Sequence, residues 1–134
     1  MRIHNPSNVA APIGAYSHGI EVPPNARLLY IAGQVGIAPD GKLASDVEGQ
    51  ADQCWRNIAA ILAAAGMSIG NLVKVTHFLT RAENVAAYRK VFIPHLGDAR
   101  PASTLLVISA LARPDFLVEV EAVAAKAPGP DAAP

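Results

Sequence analysis

Two glutamates stand two residues apart in the run Val118-Glu119-Val120-Glu121-Ala122-Val123-Ala124. On a strand, that spacing sends both carboxylates to one face. A carboxylate beside a small cleft can position a water and move its proton, as a hydrolytic step requires. Taken alone, the pair reads more readily as a merely solvated strand face. A second cluster, Arg100-Pro101-Ala102-Ser103-Thr104-Leu105, precedes it. Ser103 offers one neutral hydroxyl donor, and Arg100 is the nearest cation in the chain, although arginines of this kind are more often solvated loop charges. Near the N-terminus, Tyr16 combines a water-excluding ring with a hydroxyl, although a core aromatic reads as well, and His18, two residues on, is a candidate acid or base that more often proves an ordinary surface histidine. Gly33 allows the main chain to approach a ligand closely, or else marks a bulge.

Other reactive types are less pointed. His4, His77 and His95 are scattered without the spacing of a metal site, so neither metal nor cofactor is expected. Cys54 falls on the apolar side of a helical pattern and reads as an inert core residue. Gly33-Gln34-Val35-Gly36 lacks the pattern of a phosphate-binding loop.

The elements that must hold these residues follow from periodicity. Tyr16 to Val22 and Arg27 to Val35 read as two strands joined by the turn Pro23-Pro24-Asn25-Ala26. Ser45 and Glu48 have capping-box spacing ahead of Val47, Ala51, Cys54, Trp55, Ile58, Ile61, Leu62 and Ala65, which recur at helical steps until Gly66 ends them. Leu72 to Thr80 alternates as a half-buried strand, a shorter helix runs from Glu83 to Ile93 before Pro94, and strands over Thr104 to Leu111 and Leu117 to Lys126 flank the turn Arg113-Pro114-Asp115. Residues 1–126 form one α+β domain with helices on one side of its sheet. Residues 127–134 have nothing to pack and are expected to be a disordered tail. A sheet covered on one face only, in so apolar a chain, invites self-association.

Composition narrows the function classes. The chain has 134 residues, 51% apolar and 16% charged, with a formal net charge of zero. No long-range field attracts a phosphate backbone, so nucleic acid is not a favoured partner. No apolar stretch approaches the roughly 20 residues of a membrane span, and the N-terminal residues lack the apolar core of a signal peptide. The single Cys54 fits a reducing compartment, and a cytoplasmic protein is expected.

Four segments, Pro12-Ile13-Gly14-Ala15-Tyr16-Ser17, Ile31-Ala32-Gly33-Gln34-Val35, Arg100 to Val107 and Val118 to Ala124, together resemble the Rid family of reactive intermediate (enamine/imine) deaminases. The likeness spans Ile3 to Ala125. It implies a chorismate-mutase-like fold, a six-stranded mixed sheet with two helices on one face, assembled as a homotrimer with a small-molecule cleft between neighbouring subunits. By the same resemblance, Glu119 holds and activates the attacking water, Tyr16 lines the cleft, the Gly33 main chain meets the ligand, and Ser103 and Leu105 contact it. The family's arginine after Pro-Ala, which clamps a substrate carboxylate, is replaced by Ser103. Ala32 stands where many members carry a serine, and Val85 lies near the place of a frequent asparagine.

Exchanging a guanidinium fork for one hydroxyl should cost about 2 kcal/mol toward an anionic substrate. The resemblance therefore implies a hydrolase of C=N bonds acting on a small imine, enamine or carbonyl compound, and not an efficient 2-aminoacrylate or 2-imino acid deaminase. A binding or regulatory trimer without catalysis is the alternative. The endoribonuclease or translation-inhibitor role attached to the family is another, against which the absence of excess cations and the scarcity of aromatics weigh.

Overall fold

The computed structural model describes residues 1–130. Of the expected tail, residues 127–130 run on without helix or strand, and the remainder lies outside the described residues.

Among the described residues six strands and two α-helices form, but the strands divide between two sheets rather than joining in one. The main sheet has four strands: β3 (Arg27–Val35), β6 (Val118–Lys126), β4 (Leu72–Leu79) and β5 (Ala102–Val107), in that order across the sheet. β6 is antiparallel to both neighbours, whereas β4 and β5 are parallel. A parallel pair needs a crossover, and α2 (Val85–Leu96) supplies it. The expected hairpin between the first two apolar runs does not form. β2 is only Gly19–Glu21 and pairs instead with β1 (Arg2–His4). Tyr16 to His18 is loop, tied to β5 through an isolated bridge from Ser17 to Ala102.

Helix α1 (Val47–Ala64) buries Ala51, Cys54, Trp55, Ile58 and Leu62, the apolar face read from its periodicity. Its N-cap is Asp46 rather than Ser45: the Asp46 carboxylate accepts the Gly49 N–H at 2.8 Å, satisfying a donor that the helix leaves unpaired. Gly66 follows the helix at φ 68°, as expected. Pro94 does not stop α2, which continues to Leu96. A proline so near the C-terminus disturbs little of the helix beyond it. The last turn is also held by burial of Leu96 and by a bond between His95 Nε2 and the Asp52 carboxylate at 2.9 Å.

Both helices lie on one face of the main sheet. Along β4, Leu72, Val75 and Leu79 join the core on that side with His77 buried among them, while Lys74, Thr76 and Phe78 alternate to the other; the register with β6 slips at Val73. Along β6, Val118, Val120, Ala122 and Ala124 point into the core, and Glu119 and Glu121 point away from it. Among the described residues nothing covers that second face. It leaves Tyr30 74% and Leu28 50% exposed on β3, with Leu106 43% exposed on β5.

Candidate active site

β5 runs beside β4 in a register that sets Ser103 against Val75 and Leu105 against His77. Both Ser103 and Leu105 therefore lean toward the helices. With Tyr16 from the loop before β2, and Phe92 and Arg89 from α2, they enclose a cleft of about 320 Å³ whose floor is His77. A larger hollow of about 430 Å³, lined by Tyr30, Lys74, Thr76 and Glu121, lies on the uncovered sheet face. The smaller cleft has the better chemistry, because buried polar groups converge on it.

Those groups form a chain. Trp55 Nε1–H donates to the Tyr88 hydroxyl at 3.2 Å, the Tyr88 hydroxyl bonds His77 Nδ1, and His77 Nε2 bonds Ser103 Oγ at 2.9 Å. Trp55, Tyr88 and His77 are almost wholly buried, so the protons can be assigned by asking which arrangement leaves nothing unpaired. The Tyr88 oxygen already accepts from Trp55, and its own proton must go to His77 Nδ1. His77 then carries its proton on Nε2 and donates to Ser103. The opposite tautomer would leave the Tyr88 O–H without an acceptor, at a cost of about 1–3 kcal/mol. Ser103 thus accepts from inside, and its hydroxyl proton is turned toward the cleft.

The charges agree with this assignment. Burial, reinforced by the positive charges of Lys74 and Arg89, lowers the His77 pKa from 6.5 to about 3, so the ring is neutral at ordinary pH. Burial also raises the Tyr88 pKa well above its usual value, so the phenol keeps its proton. With its free lone pair spent on Tyr88, His77 cannot act as a base toward Ser103. Ser103 is a hydrogen-bond donor here, not a nucleophile. Phe92 packs against the ring of His77 at 4.7 Å between centroids and against that of Tyr88 at 4.8 Å, holding the chain in place.

Glu119 lies elsewhere. It projects from the uncovered face of β6, opposite Phe78, and is half-buried. Between Ile31 and Gln34 the register of β3 with β6 slips, so that Ala32 and Gly33 bulge opposite Glu121. Gly33 is consequently both of the things its sequence allowed, a bulge and a close approach. A β-carbon there would sit 2.8 Å from Glu119 Cδ, closer than such atoms come. The missing side chain makes the seat for the Glu119 carboxylate. Behind the bulge, Cys54 Sγ contacts the Gln34 carbonyl, and burial raises the pKa of its thiol to about 12, with the Glu119 charge adding to the effect.

The residues singled out by sequence fall into two groups on opposite faces of one sheet. Tyr16, Ser103 and Leu105 share the cleft; Gly33 and Glu119 share the bulge. Two others stand apart from both. The guanidinium of Arg100 donates to the Gly97 and Ala99 carbonyls at 2.8 and 2.7 Å, just past the end of α2. His18 bonds the Ala10 carbonyl through Nε2 at 2.6 Å and sets its ring edgewise to Tyr16 at 5.8 Å. Sequence reasoning weighed His77 only as a metal ligand and passed over Tyr88 and Arg89. His77 had a usable signal, since it occupies an inward position in the alternation of β4 where every other residue is apolar. Arg89 had none.

The chain matches the family model described as endoribonuclease L-PSP over residues 7–126. A RutC family protein of Pyrococcus horikoshii is 37% identical over 121 residues, covering 89% of this chain and 93% of that one. The mouse protein named 2-iminobutanoate/2-iminopropanoate deaminase is 32% identical over 129 residues, covering 95% of this chain and 93% of its own. Among solved structures, a Rid family protein of unknown function from Yersinia pestis superposes with a TM-score of 0.81 at 29% identity, over 92% of this chain and 96% of that one. The Escherichia coli protein TdcF, solved with bound serine, gives 0.71 at 26% identity over 95% and 100% of the two chains. Matched along nearly its whole length by the family model and by relatives of its own size, the chain belongs to the Rid, or endoribonuclease L-PSP, family.

Proposed function

We propose that this protein hydrolyses a small imine or enamine compound, after tautomerisation to the imine, in clefts formed where three copies of the chain meet. The observation that carries the reading is the separation of the two half-sites. One chain presents Tyr16, Ser103 and Leu105 around a cleft on its helix side, and Glu119 on its Gly33 seat on the uncovered side. Neither half suffices alone. Ser103 and Leu105 lie on β5, an edge strand of the main sheet, so copies packed with their uncovered faces inward and this edge against the neighbour would set one chain's carboxylate beside the next chain's cleft and would cover Leu28, Tyr30 and Leu106. The name of the mouse relative, a 2-iminobutanoate/2-iminopropanoate deaminase, supports the same type of reaction.

In that cleft the Glu119 carboxylate takes a proton from water as the oxygen adds to the carbon of the protonated C=N bond. Glu119 returns that proton to the nitrogen of the carbinolamine; as the C–N bond breaks and ammonia leaves, the carboxylate takes the hydroxyl proton, which passes to solvent, and the C=O bond forms. The products are a carbonyl compound and ammonia, and no redox partner is needed. Ser103 donates to an acceptor on the substrate, and the ring of Tyr16 shields the site from bulk water. Without charge at Ser103, a carboxylate-bearing substrate is favoured only if another cation reaches the cleft.

The test is ammonia release from a panel of imines, charged and uncharged. Glu119→Ala should abolish turnover while fold and assembly persist, and Glu121→Ala should have much less effect. Equal losses from both, or undiminished activity in Glu119→Ala, would refute the role of Glu119. Ligand binding without any turnover by the wild-type protein would instead support a binding or regulatory trimer.

A further inference from the structure

The cleft holds a cation that the chemistry so far leaves unused. Arg89 projects from α2 into the cleft that Tyr16 and Ser103 line. Among the described residues no carboxylate lies within ion-pairing distance of it, although Arg56 and Arg113 each have one. Its guanidinium passes directly over Gly14, where a β-carbon would stand 2.8 Å from one of its terminal nitrogens. Glycine at that point leaves the arginine room to lie along the cleft wall.

We propose that Arg89 is the anion-binding residue of this cleft, and that with the outward-turned Ser103 hydroxyl it seats the carboxylate of a small acid substrate. The two donors differ in kind. Arg89 supplies charge and a planar fork; Ser103 supplies one fixed direction, set from behind by the chain Trp55, Tyr88 and His77. A substrate carboxylate would lie between them, leaving its adjoining C=N carbon free to face the neighbouring subunit. Arg89 thus takes the part for which Arg100, engaged with the carbonyls after α2, is not placed. The low pKa of His77 accords with this, because the positive charge of Arg89 is among its causes.

The inference rests on the cleft assigned above, but its test does not require turnover. Pyruvate serves as a stable carboxylate probe and methyl pyruvate as its uncharged counterpart, each titrated against the full-length protein by NMR. Wild type should bind pyruvate at least about tenfold more tightly than the ester, in line with the greater strength of charge-assisted bonds. Arg89→Gln should abolish that preference with little change in ester binding, and Arg89→Lys should restore part of it. Gly14→Ala, which displaces the guanidinium without touching the core, should weaken pyruvate binding in the same sense. Ser103→Ala should weaken both probes.

Equal affinity of wild type for the two probes, failure to bind either, or unchanged pyruvate binding in Arg89→Gln would overturn the assignment. If pyruvate binding depends on Arg89 but no imine is hydrolysed, the anion seat stands and the proposed reaction fails. If imino acids are hydrolysed equally well with and without Arg89, the reaction stands and the seat fails.

Discussion

Because His77 is neutral inside the fold, stability should depend on pH in a way that one substitution removes. Its pKa is 6.5 in the unfolded chain and is lowered to about 3 by burial and by nearby positive charge. Below pH 6.5 the unfolded chain takes up a proton that the folded protein refuses until the pH nears 3. The contribution of the neutral ring is therefore fully present above pH 6.5 and is lost as the pH falls. At the limiting slope of about 1.4 kcal/mol per pH unit, the loss amounts to about 3 kcal/mol by about pH 4. Urea unfolding of wild type and His77→Gln, at one protomer concentration and a series of pH values, measures it. The variant begins less stable, since glutamine cannot bond both Tyr88 and Ser103 in the same geometry. The gap between the proteins should narrow on acidification, while protonation of surface carboxylates cancels in the difference. Parallel stability curves between about pH 7 and about pH 4 would show that His77 titrates alike in both states, and the assigned proton chain would fall with them.

Two further outcomes are expected. Sedimentation equilibrium at micromolar protein should return a trimer of the 13.9 kDa chain, whereas a persistent monomer would remove any composite cleft. Cys54, buried and with its thiol pKa raised to about 12, should resist a thiol-specific disulfide reagent in native protein and react fully in denaturant. Rapid labelling of native protein would contradict that burial.

What the sequence determined by itself were the features set by local periodicity. The buried face of α1, the alternation of β4, and the common side taken by Glu119 and Glu121 all follow from helical or strand geometry, which depends only on spacing along the chain. The family too was legible, because its motifs are short and contiguous in sequence. The tertiary structure decided whatever depended on partners distant in sequence. β2 left the expected hairpin because its unpaired edge found β1, a choice that no pattern within residues 16–35 encodes. Pro94 was absorbed because Leu96 and His95 found partners beyond it. The separation of Ser103 from Glu119 to opposite faces came from the pairing registers of β5 and β6 with β4, which set Ser103 beside inward-facing Val75 and Glu119 beside outward-facing Phe78. Arg89 came beside Ser103 only because the crossover through α2 folds back over the parallel pair it connects, joining residues from separate elements in one wall.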